Sequence, residues 1–238
     1  MAPVLILQFM VDDAPAYLGT WLRQRGVVAD VRLGPQAQAF PDRIDGYSAL
    51  ALLGGSMSVN DDLAYLRQAE RLVLQAMHED IPVLGHCLGG QLMARALGAE
   101  VSASPAPEVG WQRMDCVDSP ACREWLGPQP WHQVFHWHYE AFALPQGATS
   151  LGASASCPHQ AFAIGKHLAL QFHVEIDAAK LALWCANLDD LYLDAQRRYA
   201  SVHSEPRMRD DSRLCLPSQQ RLADRIYTRW LEGAALIS

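Results

Sequence analysis

The chain has no apolar run approaching the ~20 residues that a membrane-spanning helix needs, no basic excess and no CxxC pair. Its 19 Lys and Arg are outnumbered by 26 Asp and Glu, a formal charge of -7. Phosphate backbones are held by basic surfaces, so a general nucleic-acid binder is disfavoured and small polar metabolites become the default ligands. The six cysteines (Cys87, Cys116, Cys122, Cys157, Cys185 and Cys215) form no regular framework. Reduced thiols, and with them a cytoplasmic setting, are the expectation. The apolar start, MAPVLILQFM, lacks a basic n-region and runs straight into Asp12-Asp13, so no signal peptide is expected. Neither repeats nor low-complexity blocks occur.

What is there fits one α/β domain over residues 1–238, with a core of about 4–176 and a helical tail from 177. Val4 to Phe9 reads as a buried strand, and Ala14 to Arg25 as a helix closed by Gly26. Tyr47 to Leu53 is a second apolar run, halted by Gly54-Gly55. Leu63, Leu66, Ala69, Leu72, Val73 and Ala76 share one helical stripe within Asp61 to Glu79, with Asp61 or Asp62 as the predicted cap. Ile81 to Leu84 is a short strand, and Leu88 to Leu97 a helix stopped by Gly98. Strand and helix alternating in this way predict a mostly parallel sheet with helices on both faces. Between Val109 and Ile176 strands predominate: Gly110 to Met114, Gln133 to Trp137, Ala161 to Ile164 and Leu168 to Phe172. From Asp177 the chain reads as helical, broken by the polar stretch Ser201 to Ser212.

The sharpest local signal is IPVLGHCLGGQL, Ile81 to Leu92. A strand ends at Gly85, Cys87 follows, Gly89 comes two later, and a helix begins at once. This is a nucleophile elbow written with cysteine, whose flanking glycines avoid collisions in a strained turn. It puts Cys87 at a helix N-terminus, where partial positive charge favours an anion, and turns the amide of Leu88 toward an oxyanion. The string alone also fits a structural cysteine; the strand before it and the helix after it favour chemistry.

A thiol nucleophile wants a histidine base, and the histidine an orienting carboxylate. Leu168 to Glu175 (LALQFHVE) offers both at a strand end, with His173 and Glu175 two apart on one face. Gly54-Gly55 can present a second amide, although a plain loop pair reads the same. His132, His136 and His138 form a histidine-rich patch, but no nearby cysteine or carboxylate completes a ligand spacing, so no metal is expected. The side chain of His86 should point away from Cys87, which makes it a packing residue.

Together these residues resemble the class I glutamine amidotransferases, in particular stand-alone members similar to the glutaminase domain of GMP synthase. The resemblance is carried by Gly54 to Asp61, Pro82 to Gln91, Glu108-Val109-Gly110-Trp111, His138, and Gln171 to Glu175. It implies a flavodoxin-like sheet, a triad of Cys87, His173 and Glu175, and an oxyanion hole from the amides of Gly55 and Leu88. It further implies that Gly54, Gln91, Trp137, His138 and Tyr139 hold the substrate, and that no cofactor is needed. The implied reaction is hydrolysis of the glutamine side-chain amide, with ammonia passing to a separate synthetase subunit. A γ-glutamyl peptide hydrolase and a catalytically silent binding protein are the alternatives. Departures from the family pattern stand at His86, Val174 and Glu140, usually aliphatic, proline and often aspartate; the last two touch substrate preference.

Overall fold

A computed structural model describes residues 2–35 and 40–234. The strands are β1 (Val4–Gln8), β2 (Ala29–Leu33), β3 (Ala49–Leu52), β4 (Val83–His86), β5 (Val101–Cys116), β6 (Trp131–Phe142), β7 (Thr149–Ala153), β8 (Ala161–Ile164) and β9 (His167–Leu170). The helices are α1 (Ala16–Gln24), α2 (Ala64–His78), α3 (Leu88–Ala96), α4 (Pro120–Leu126), α5 (Ala178–Ala186), α6 (Asp190–Arg198) and α7 (Glu205–Glu232). One sheet runs in the order β2-β1-β3-β4-β9-β8-β7-β5-β6. From β2 to β9 every pairing is parallel, and from β9 outward every pairing is antiparallel.

Why the central strands read as continuous apolar runs is visible in their alternation. Val4, Ile6, Ala49, Ala51, Leu84, Leu168 and Leu170 point to the face covered by α1, α4 and α7. Leu5, Leu7, Leu50, Leu52, Val83 and Ala169 point to the other, under α2 and α3. Burial on both faces removes the polar half of the period-2 pattern. β2 lacks this signature because it is an edge strand with Val31 exposed, and no apolar run announces it. β7 is short and rich in small residues, and was likewise not foreseen.

Several expected boundaries move. α1 starts at Ala16, after Pro15, and α2 at Ala64, with Leu63 at its N-cap and no side-chain cap. Asp61 instead accepts from the Ser58 amide at 3.1 Å, so the expected Asp61 or Asp62 cap is not formed. β5 and β6 are far longer than their apolar centres and form the antiparallel ribbon that borders the site. The polar stretch after Ser201 is a break only as far as Ser204; α7 then continues for 28 residues through Pro217. Among the described residues no helix is long and apolar enough to cross a membrane.

Candidate active site

At the β4–α3 junction Cys87 adopts φ 47° and ψ -108°, a left-handed conformation rare for a residue with a side chain. Close packing makes the neighbouring glycines obligatory. A Cβ on Gly85 would lie 2.6 Å from the Gly89 carbonyl group, one on Gly89 2.5 Å from the Leu52 oxygen, and one on Gly90 2.5 Å from the Leu170 oxygen. The Cys87 amide donates to the Leu170 oxygen at 2.8 Å, tying the elbow to β9. Its sulfur lies 3.7 Å from the Trp137 oxygen and 3.7 Å from Gln171 Nε2.

His173 and Glu175 do not continue β9, which ends at Leu170. They occupy a turn, so the shared face of an extended strand is not what pairs them. The pairing itself is tight: His173 Nδ1 lies 2.6 Å from Glu175 Oε1. α7 secures this turn. Gln219, fully buried, donates to the His173 oxygen at 3.0 Å and accepts from the Phe135 amide at 2.7 Å, while the His173 amide donates to the Phe135 oxygen.

The electrostatics are those of a buried charge chain. Burial opposes charge on His173, but the charges of Glu175 and Cys87 outweigh it and raise the ring to about 10. Burial would push the Glu175 carboxyl up, yet His173, Lys180 and His86 hold it far below the usual range. Lys180, which the sequence did not flag, reaches Asp13 Oδ1 at 2.7 Å and Glu175 Oε1 at 3.4 Å while almost fully buried. Its charge is held up against burial by Glu175 and Asp13. Trp184, one turn further along α5, meets the His173 ring edge-on at 4.8 Å. His86 stands behind Glu175, as its expected orientation away from Cys87 requires. Its Nδ1 contacts the Leu52 oxygen, its Nε2 is 4.0 Å from Glu175 Oε2, and burial lowers its pKa.

A cavity of about 580 Å³ opens onto Cys87 and His173. Gln91, Trp137, His138, Tyr139 and Gly55 line it as expected, and Glu140 joins them. Gly54 does not: it packs under the His173 ring, where a Cβ would lie 2.8 Å from Cε1, so its place is to admit the imidazole. Gly55 packs against Leu88, bringing the two candidate amides together; a Cβ there would meet Leu88 Cδ2 at 2.7 Å. Gln91 Nε2 donates to the Glu140 oxygen at 3.0 Å, and Ser58 donates to the Glu140 carboxylate. Asp12, Asp13, Leu183, Trp184, Asn187, Asp189 and Leu191 complete the wall. Sequence reasoning missed these because they come from the β1–α1 loop and the α5–α6 region, which carry no local motif.

The histidine patch divides. His132 faces the Leu126 oxygen, away from the others. His136 and His138 meet Glu108, a carboxylate 28 positions before His136 that the β5–β6 register brings opposite His138. The absence of a nearby carboxylate in the linear sequence was therefore misleading. Burial would raise the Glu108 carboxyl, but the hydrogen bond from His138 and the charges of His136 and His138 hold it down at about 2. Burial lowers His136 to about 3.

Comparison with known proteins agrees with this geometry. Residues 20–180 match the family model described as glutamine amidotransferase class-I. The glutamine amidotransferase-like protein YfeJ of Salmonella typhimurium is 30% identical over 174 residues, spanning 69% of this chain and 71% of that protein. The glutamine-hydrolyzing GMP synthase of Aeropyrum pernix is 30% identical over 157 residues, which is 65% of this chain but only 29% of the synthase. The crystal structure of a glutamine amido transferase from Methylobacillus flagellatus superposes with a TM-score of 0.91 at 32% identity, covering 98% of this chain and 95% of that one.

Proposed function

The chain belongs to the class I glutamine amidotransferases, and from that premise we propose that it hydrolyses the side-chain amide of glutamine through a thioester on Cys87. The observation that carries this reading is the buried His173–Glu175 pair, 2.6 Å apart, opening onto the same cavity as a cysteine in a strained elbow. An imidazolium facing Cys87 stabilises negative charge on its sulfur. The sulfur attacks the γ-carbonyl carbon, and the resulting oxyanion accepts from the amides of Gly55 and Leu88. His173 gives its proton to the leaving nitrogen, the C–N bond breaks, and ammonia departs. Neutral His173 then takes a proton from water, which attacks the thioester; the C–S bond breaks and glutamate leaves. Glu175 holds the imidazole in orientation, and Lys180 keeps Glu175 ionised. Gln91 and the loop from Trp137 to Tyr139 hold the amino-acid end of the substrate, with the Glu140 carboxylate available to its ammonium group.

In this reading ammonia is used by a separate synthetase subunit, as the likeness to only a minor part of a GMP synthase suggests. One observation favours a second reading, hydrolysis of γ-glutamyl amides or peptides. The cavity extends past the reacting centre to Asp12, Trp184, Asn187 and Leu191, leaving room for a leaving group larger than ammonia. Release of ammonia and of glutamate, measured across glutamine and a panel of γ-glutamyl amides, tests both. Turnover of glutamine supports the first, and much faster turnover of γ-glutamyl peptides the second. Turnover of neither sinks the enzymatic assignment.

A further inference from the structure

One cluster beside the cavity has no part in the reaction above. Glu108, His136 and His138 are 1%, 0% and 3% exposed, and their ligand-capable atoms lie within 4.8 Å of one another. His138 Nδ1 faces the Glu140 carbonyl oxygen at 3.2 Å. A carbonyl can only accept, so in a neutral ring Nδ1 carries the proton and Nε2 is left with a lone pair. That lone pair lies 3.2 Å from Glu108 Oε2, which as a carboxylate oxygen also only accepts. Two buried acceptors this close require a positive species between them. Around them His136 Nδ1, His136 Nε2 and Gln160 Oε1 have no partner in the protein, as His138 Nε2 also has none. Such a concentration of buried, unpaired polar atoms calls for a specific cause.

We propose that Glu108, His136 and His138 form a binding site for one divalent transition-metal ion of the zinc class. Two imidazoles and a carboxylate are a donor set suited to zinc, with a fourth position left for Gln160 Oε1 or water. Zinc holds such donors at about 2.0–2.2 Å, which places tetrahedral ligands roughly 3.4 Å apart. Glu108 and His138 already stand near that spacing, and His136 has to swing inward to join them. The surrounding contacts are those that support a metal site: a backbone carbonyl fixes the His138 tautomer, and Gln160 Nε2 donates to Glu108 Oε2 at 2.6 Å. The ion would join β5 to β6 at the base of the loop from Trp137 to Glu140. It would thereby hold the cavity wall in place without touching the reacting atoms.

The rival is a single proton, with His138 as imidazolium against Glu108. Titration of the full chain with Co(II) and Zn(II) after chelator dialysis separates the two. A Cys87→Ala background keeps that thiolate from ligating. The expected result is one Co(II) equivalent per chain with ligand-field absorption of a four- or five-coordinate ion. Zn(II) should displace it and raise the thermal midpoint. His136→Ala should weaken binding by at least about 10-fold, whereas His132→Ala should bind normally, with circular dichroism confirming that both variants fold. If His136→Ala does not fold, the stoichiometry and spectrum of the parent chain decide. An absence of Co(II) absorption with a thermal midpoint indifferent to zinc, or a signal that survives His136→Ala, overturns the proposal. None of these readouts depends on turnover, so failure here is distinguishable from failure of the hydrolase reading.

Discussion

Replacing Lys180 by methionine keeps most of the side chain's length and removes its charge. In the folded protein that charge lies 2.7 Å from Asp13 Oδ1 and 3.4 Å from Glu175 Oε1, with Lys180, Asp13 and Glu175 all buried. Removing one partner of such a group leaves uncompensated buried carboxylates, a loss of about 3–5 kcal/mol. For a chain of this size each kcal/mol moves the thermal midpoint by about 2–4 °C, so a fall of roughly 6–20 °C is expected. The pH dependence carries a second signature. The pKa of Glu175 is depressed on folding, so its contribution to stability is present above the unfolded carboxyl value and lost as pH falls through the folded one. Without Lys180 the folded value rises, and acid unfolding should begin at higher pH than in the parent. Differential scanning calorimetry from neutral to acid pH measures both effects. Asp13→Asn combined with Lys180→Met should recover part of the loss, because one stranded carboxylate is gone. A midpoint within about 2 °C of the parent, with an unmoved acid limb, would refute the claim that Lys180 holds Glu175 ionised.

Gly90→Ala should destabilise by about 1–3 kcal/mol, because its Cβ would stand 2.5 Å from the Leu170 oxygen. Gly98→Ala meets nothing within 4 Å and bears only the strain of φ +84°, so denaturant midpoints should separate a clash from a conformational cost. Gln219→Leu strands the Phe135 amide and the His173 oxygen, a loss of about 1–3 kcal/mol for each buried group. It should also lower kcat more than it raises KM, since it loosens the turn bearing His173 rather than the substrate end. The raised pKa of His173 gives stability that is complete below its unfolded value of 6.5 and lost as pH rises through about 10. Urea midpoints should therefore fall across that alkaline window in the parent and less so in His173→Gln.

The elbow was legible because its constraint is local: a strand, two spaced glycines and a helix all fall within Ile81 to Leu92. The parallel half of the sheet was legible for a similar reason, since strands buried on both faces print unbroken apolar runs. The His173–Glu175 pair was found through an incorrect route, because a turn and not an extended strand joins the two. Lys180, Gln219 and the Glu108 cluster were not legible at all. Each is placed by a contact between segments far apart in the chain, Lys180 with Asp13 and Gln219 with Phe135. Glu108 reaches His138 only through a ribbon register interrupted by a bulge between Ala103 and Glu108. Gly54 illustrates the reverse error: its chemistry as a loop glycine suggested substrate contact, whereas the packing shows that its missing side chain is space for His173.

The most direct test is to quench the enzyme with acid during turnover of glutamine and map covalent adducts by peptide mass spectrometry. The expected result is one γ-glutamyl group on the peptide bearing Cys87, labile to hydroxylamine, absent from Cys87→Ala and accompanied there by loss of ammonia release. Ammonia release that persists in Cys87→Ala, or a γ-glutamyl adduct on any of the other five cysteines in place of Cys87, would contradict the proposed mechanism.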